Sequence, residues 1–125
     1  PTILGVCAHA DMPPKAVIGL PANPVSALVI AWLFVLPLIR HWMGITTPML
    51  RPQISARLVV NLASQAGREE WTPVRLVNTP DGFAAEPIFT KSNLIFGLSR
   101  AQGLVYTPAD ATGLHAGEMV QVYLL

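Results

Sequence analysis

The chain has 125 residues, 8 Lys+Arg against 7 Asp+Glu, a formal net charge of +1, and 52% apolar against 12% charged residues. So apolar and weakly charged a composition excludes a disordered tail, and without a basic surplus to neutralise phosphates the chain is expected not to bind nucleic acid. One cysteine, Cys7, allows no internal disulfide and points to a reducing compartment, the cytoplasm.

Low charge on a chain of this size implies that part of its apolar surface is covered by a second copy or a further domain. Thr2-Ile3-Leu4 reads as a strand already under way behind Pro1, with no basic-then-apolar leader. The expectation is therefore the C-terminal piece of a longer protein. Residues 2–7 (TILGVC) and 16–20 (AVIGL) have the pattern of short buried strands, with His9 to Lys15 as a loop between them. Pro21-Ala22-Asn23-Pro24 then punctuates the chain. Asn23 is an N-cap candidate, and Pro24 suits the first helical position, where a missing N–H costs nothing.

From Val25 to Ile39 (VSALVIAWLFVLPLI) the sequence is apolar on nearly every helical face. That run is shorter than the roughly 20 residues a membrane span needs, and Pro37 interrupts it. It is expected to be a core or subunit-interface helix and not a membrane span, kinked at Pro37. Gly44 is the predicted stop, with Arg40 and His41 at the negative end of the helix dipole. Strand, turn and helix together make half of an α/β unit.

Ile45 to Pro52 (ITTPMLRP) has neither helical nor strand period and reads as a linker. Beyond it the period changes to two. Strands are predicted over Ile54–Leu62, Val74–Asn78, Phe83–Phe89, Leu104–Thr107 and Met119–Leu125, with Thr79-Pro80-Asp81-Gly82 as a tight reversal. Short strands at this spacing predict a small antiparallel barrel or sandwich. A short helix is predicted over Ser92 to Gln102, ending at Gly103.

A self-contained enzyme is hard to assemble from these residues. His9, His41 and His115 are far apart, and no metal-ligand spacing, P-loop or G-x-G-x-x-G is present. Cys7 sits in a predicted buried strand, where thiols are inert, and Glu69-Glu70 read as solvated carboxylates. Two helix starts remain. At Leu20-Pro21-Ala22-Asn23-Pro24-Val25-Ser26 the N–H groups of Val25, Ser26 and Ala27 would lie at the positive end of the dipole and could receive an oxyanion. The same residues also read as an ordinary capped helix, with Asn23 satisfying a donor itself. Thr90-Lys91-Ser92-Asn93 offers a cation, a hydroxyl and a second set of helix-terminal amides, and equally reads as a cap.

The run Ala16 to Ala27 closely resembles the G-L-P-G-N-P-V-S-A motif of the MoeA family, the molybdopterin molybdenumtransferases that include the E domain of gephyrin. The resemblance continues through Phe34-Val35-Leu36-Pro37-Leu38, Gly67-Arg68-Glu69-Glu70-Trp71, Ser92 to Leu104, and Gly113-Leu114-His115-Ala116-Gly117-Glu118-Met119-Val120-Gln121-Val122. It implies a mixed α+β chain. Residues 1–47 would end an α/β molybdopterin-binding domain, carrying strands and one long apolar helix, and residues 48–125 would form the C-terminal antiparallel β-barrel-like domain, domain IV. The activity it implies is insertion of molybdate into adenylylated molybdopterin with loss of AMP, in a homodimer, with Mg2+ bound by residues outside this chain. By that mapping Pro21, Asn23, Pro24 and Ser26 line the pterin or molybdate cleft, and Lys91 and Ser92 face it from the β domain. Three positions depart from the family pattern: Ala22 and Lys91 replace glycines, and Pro73 replaces an arginine that Arg75 or Arg100 would have to succeed. Those departures keep a second reading open, a non-catalytic binding or scaffold module that retains the fold.

Overall fold

The computed structural model describes residues 2–89 and 99–125. The chain divides into two compact units, Pro1–Met49 and Leu50–Leu125.

In the first unit, β1 (Ile3–His9) and β2 (Met12–Gly19) form a two-stranded antiparallel ribbon, in register from Ile3↔Gly19 to Cys7↔Lys15 and again at His9↔Met12. Most of the segment expected as a loop is therefore strand. Pro13 and Pro14 sit where the register shifts, opposite Ala8, and a bulge tolerates residues with no N–H to give the ladder. The expectation of buried strands is corrected too. A two-stranded ribbon has two faces and no covering layer of its own, so Ile3, Leu4, Val6 and Val17 are exposed, as is Cys7.

A helix follows, made of α1 (Pro24–Ile30), a π-helical turn (Ala31–Val35) and α2 (Leu36–Trp42). The wide turn lies just ahead of Pro37. A proline gives no bond to the preceding turn and crowds its carbonyls, and here the helix widens, with the Leu36 N–H reaching back to the Ala31 carbonyl, five residues away. The stop is as expected. Gly44 has φ 72°, its N–H donates to His41 O, and the Ile45 N–H donates to Arg40 O, which is the double bond of a Schellman cap. The helix is not a core helix within this unit: Val29 is buried, whereas Leu28, Phe34, Leu36, Ile39 and Trp42 are exposed. By length and composition the 19 residues from Pro24 to Trp42 are sufficient to cross a membrane, a criterion that core helices of soluble proteins also meet. Ribbon and helix are what this chain holds ahead of the barrel; an α/β domain is not present in it.

The second unit is a closed five-stranded barrel of β3 (Gln53–Leu58), β5 (Glu70–Thr79), β6 (Gly82–Pro87), β7 (Gly103–Thr107) and β9 (Met119–Leu124), in the order β3-β6-β5-β7-β9. A separate small ladder joins β4 (Leu62–Ala63) to β8 (Gly113–Leu114). Alternation does what the sequence predicts: Ala56 and Leu58 of β3, and Val120 and Val122 of β9, point inward, between outward Ser55, Arg57, Met119 and Gln121. Val74, Ala85, Val105 and Leu62 complete the core. The barrel is not wholly antiparallel, because β3 and β6 run parallel where the sheet closes. The expected reversal at Thr79–Gly82 joins β5 to β6, with Gly82 at φ 124° and Thr79 Oγ1 donating to Gly82 O at 3.0 Å. The helix predicted over Ser92 to Gln102 lies largely outside the described residues.

Candidate oxyanion turn and the motifs of the barrel

Between the end of β2 at Gly19 and the start of α1 at Pro24, the chain turns through Leu20-Pro21-Ala22-Asn23. Asn23 is extended (φ −71°, ψ 120°), as an N-cap must be, and Pro24 opens the helix. Asn23 Oδ1 accepts from the N–H groups of Val25 (3.0 Å) and Ser26 (3.4 Å), and Asn23 O accepts from Ala27 N–H at 2.8 Å. The three donors expected to be free for a ligand are thus satisfied within the turn. For Val25 and Ser26 the physical reason is the asparagine side chain, short enough to reach the orphan amides of the first turn, and for Ala27 it is the first intrahelical bond, to the Asn23 carbonyl. Beyond those bonds the turn has the Asn23 Nδ2 group, an uncharged donor pair, together with the half-buried Ser26 hydroxyl and the helix dipole.

Lys91 and Ser92 lie outside the described residues, so only Pro21, Asn23, Pro24 and Ser26 of the proposed set have described positions, all four within one turn. Pro73 stands on β5 opposite Leu104. Arg75, two residues on, pairs with Glu86 of β6, its Nε donating to Glu86 Oε2 at 3.0 Å. Its guanidinium is engaged by a carboxylate, not held open for an anion. Arg100 is exposed. Among the described residues no three His, Cys, Asp or Glu side chains converge in a way that would hold a metal ion.

The remaining sequence motifs take structural places. In Gly113–Met119, Gly113 is closed in by the Leu62 carbonyl, which would lie 2.2 Å from an added Cβ, and Gly117 has φ 86°. The Glu118 carboxylate accepts from the His115 N–H at 3.0 Å, the Asn61 side chain from the Ala116 N–H at 2.7 Å, and the Leu58 carbonyl from the Gly117 N–H at 2.7 Å. This loop is built to return the chain into β9. In Gly67–Trp71, Glu69 accepts the Tyr106 phenol proton at 3.0 Å, and Trp71 packs on Tyr106 and Tyr123 with ring centroids 5.0 and 5.1 Å away. The Glu69 hydrogen bond, with some desolvation and the same carboxylate's charge, raises the Tyr106 pKa above its ordinary value. Sequence reasoning passed over this cluster. The signal was available only as cross-strand register, Trp71↔Tyr106, which needs the pairing of β5 with β7.

Barrel topology and these loops define a domain of one family. Residues 55–125 match the model of the MoeA C-terminal region (domain IV), and the chain belongs to that family. It is 37% identical over 112 residues to molybdopterin molybdenumtransferase 1 of Mycobacterium tuberculosis, covering 85% of this chain and 26% of that protein. To a putative molybdopterin biosynthesis protein of Methanocaldococcus jannaschii it is 30% identical over 112 residues, covering 89% of this chain and 25% of the relative. The crystal structure of a MoeA molybdopterin biosynthesis protein from Pyrococcus horikoshii superposes with a TM-score of 0.75 at 33% identity, covering 99% of this chain and 28% of that one. A molybdenum cofactor biosynthesis protein from Pyrococcus furiosus gives 0.72 at 27% identity, covering 86% and 38%. The chain spans about a quarter of the length of its curated relatives.

Proposed function

We propose that this chain is the C-terminal part of a cytoplasmic molybdopterin molybdenumtransferase, which as a homodimer inserts molybdate into adenylylated molybdopterin and releases AMP. Mg2+ would be held by residues outside the chain. Residues 1–47 would belong to the molybdopterin-binding domain and residues 48–125 would be domain IV. The observation that carries the reading is the family match over residues 55–125.

In this proposal Pro21 and Pro24 stiffen the turn, Asn23 secures the first amides of α1, and its Nδ2 with the Ser26 hydroxyl meets an oxyanion arriving at the positive helix end. Lys91 and Ser92 would meet the same ligand from the β domain. The apolar helix is then covered by protein in the assembled dimer and does not span a membrane. The test is molybdate insertion by the full-length protein, followed by AMP release. Ser26→Ala and Ser92→Ala are expected to lower insertion with unchanged melting temperature, and Pro24→Ala to weaken pterin binding modestly. Wild-type activity in both serine variants would remove these residues from the site. A second reading, a module that keeps the fold without the chemistry, is favoured by one observation: Arg75, the candidate successor to the arginine lost at Pro73, is paired with Glu86. No insertion by the full-length protein under conditions where a relative is active would establish that reading.

A further inference from the structure

A cavity of about 620 Å3 opens on the flank of the barrel where β3 meets β6. This parallel seam has the shortest register of the five, with paired positions at Arg57↔Ala84 and Leu58↔Ala85 only. Ser55 on β3 and Thr79 at the β5–β6 turn both line the opening. Its volume falls in the roughly 300–1,000 Å3 range of small-molecule sites.

Two opposite charges share the cavity without pairing. The exposed Arg57 donates from Nη1 to Gly117 O at 3.0 Å, a single bond that restrains the guanidinium at the cavity wall. Asp81, at the turn, makes no hydrogen bond or ion pair among the described residues. The neighbouring hydroxyls each have a partner within the barrel: Ser55 Oγ accepts from Gln121 Nε2 at 2.9 Å, and Thr79 Oγ1 donates to Gly82 O. Val59, Phe83 and Met119 supply an apolar wall and are 49%, 37% and 56% exposed. Anchored cation, unpaired anion and an apolar surface in one concavity are complementary to a molecule that carries all three counterparts.

We propose that this cavity binds a small amphoteric molecule, with an acid group on Arg57, an amine on Asp81 and an apolar ring against Val59, Phe83 and Met119. The test uses the full chain, isotope-labelled, titrated with para-aminomethylphenylacetate and, separately, with phenylacetate and benzylamine, while amide resonances are followed by NMR. The bipolar probe is expected to shift amides at 55–59, 81–84 and 117–119, and to bind about fivefold more tightly than either singly charged probe. Arg57→Gln should abolish the advantage over benzylamine, and Asp81→Asn the advantage over phenylacetate. Arg57→Lys should retain part of it, and this variant with Asp81→Asn decides the matter should Arg57→Gln lose resonance dispersion. Equal affinity for the three probes, shifts scattered over the barrel, or affinities indifferent to Asp81→Asn overturns the proposal.

Discussion

Gly103 has no room for a side chain: a Cβ there would lie 2.5 Å from Val122 Cγ1 and 2.7 Å from the Tyr123 carbonyl oxygen. Since β7 and β9 pair at Gly103↔Leu124, relief requires moving a barrel strand. Gly103→Ala is expected to cost about 1–3 kcal/mol, read as a lowered denaturation midpoint. Leu58, only 1% exposed, gives the opposite test, because Leu58→Ala leaves a void worth about 2–5 kcal/mol. The Tyr106–Glu69 bond makes a pH prediction. Because the phenol's pKa is raised in the folded state, the stability it contributes is complete below the unfolded value of 10.0 and is lost as pH rises through the higher folded value. Tyrosinate absorbance should show one tyrosine titrating late, and Glu69→Gln should bring it back down. A Tyr106 curve unmoved by that change would assign the shift to another cause.

At the scale of elements, caps and bulges explain where each segment begins and ends. Asn23 satisfies two amides of α1 with one oxygen, so Asn23→Ala is expected to destabilise the first unit by about 1 kcal/mol and to lower the helical circular dichroism near its melting point. Asn23→Asp should preserve the cap while replacing the Nδ2 donor pair by a charge. On the proposed function it therefore keeps the helix and weakens oxyanion binding, a split that a purely structural cap would not show. The residues of this turn were legible in the sequence, because Asn followed by Pro is an N-terminal signature with a local cause. Their hydrogen-bonding state was not, since the sequence is equally compatible with amides open to a ligand and amides closed by Asn23.

Across the molecule, the two units differ in how they meet water. Every residue of the principal core cluster, from Ala56 to Val122, belongs to the second unit, whereas the ribbon and helix expose Ile3, Leu4, Val6, Phe34 and Trp42. Residues 50–125 alone are therefore expected to fold, with a melting temperature within a few degrees of the barrel transition in the whole chain; differential scanning calorimetry of both checks this. The whole chain should associate increasingly with concentration through its apolar first unit, and residues 50–125 should not, as sedimentation would show.

Local periodicity was enough to place the barrel strands, the Asp-Gly reversal, the apolar helix and its glycine stop, because each depends on neighbours a few residues away. The family was legible for a similar reason, since its loops need glycine, proline and glutamate at fixed spacing. Burial and partnership were not. Whether Val6 and Cys7 lie inside or outside depends on a covering layer, whether Arg75 is open depends on Glu86 arriving opposite it from another strand, and the parallel closure of β3 on β6 depends on how five strands shut a barrel. Those are contacts between residues distant in the chain, and only the folded arrangement decides them.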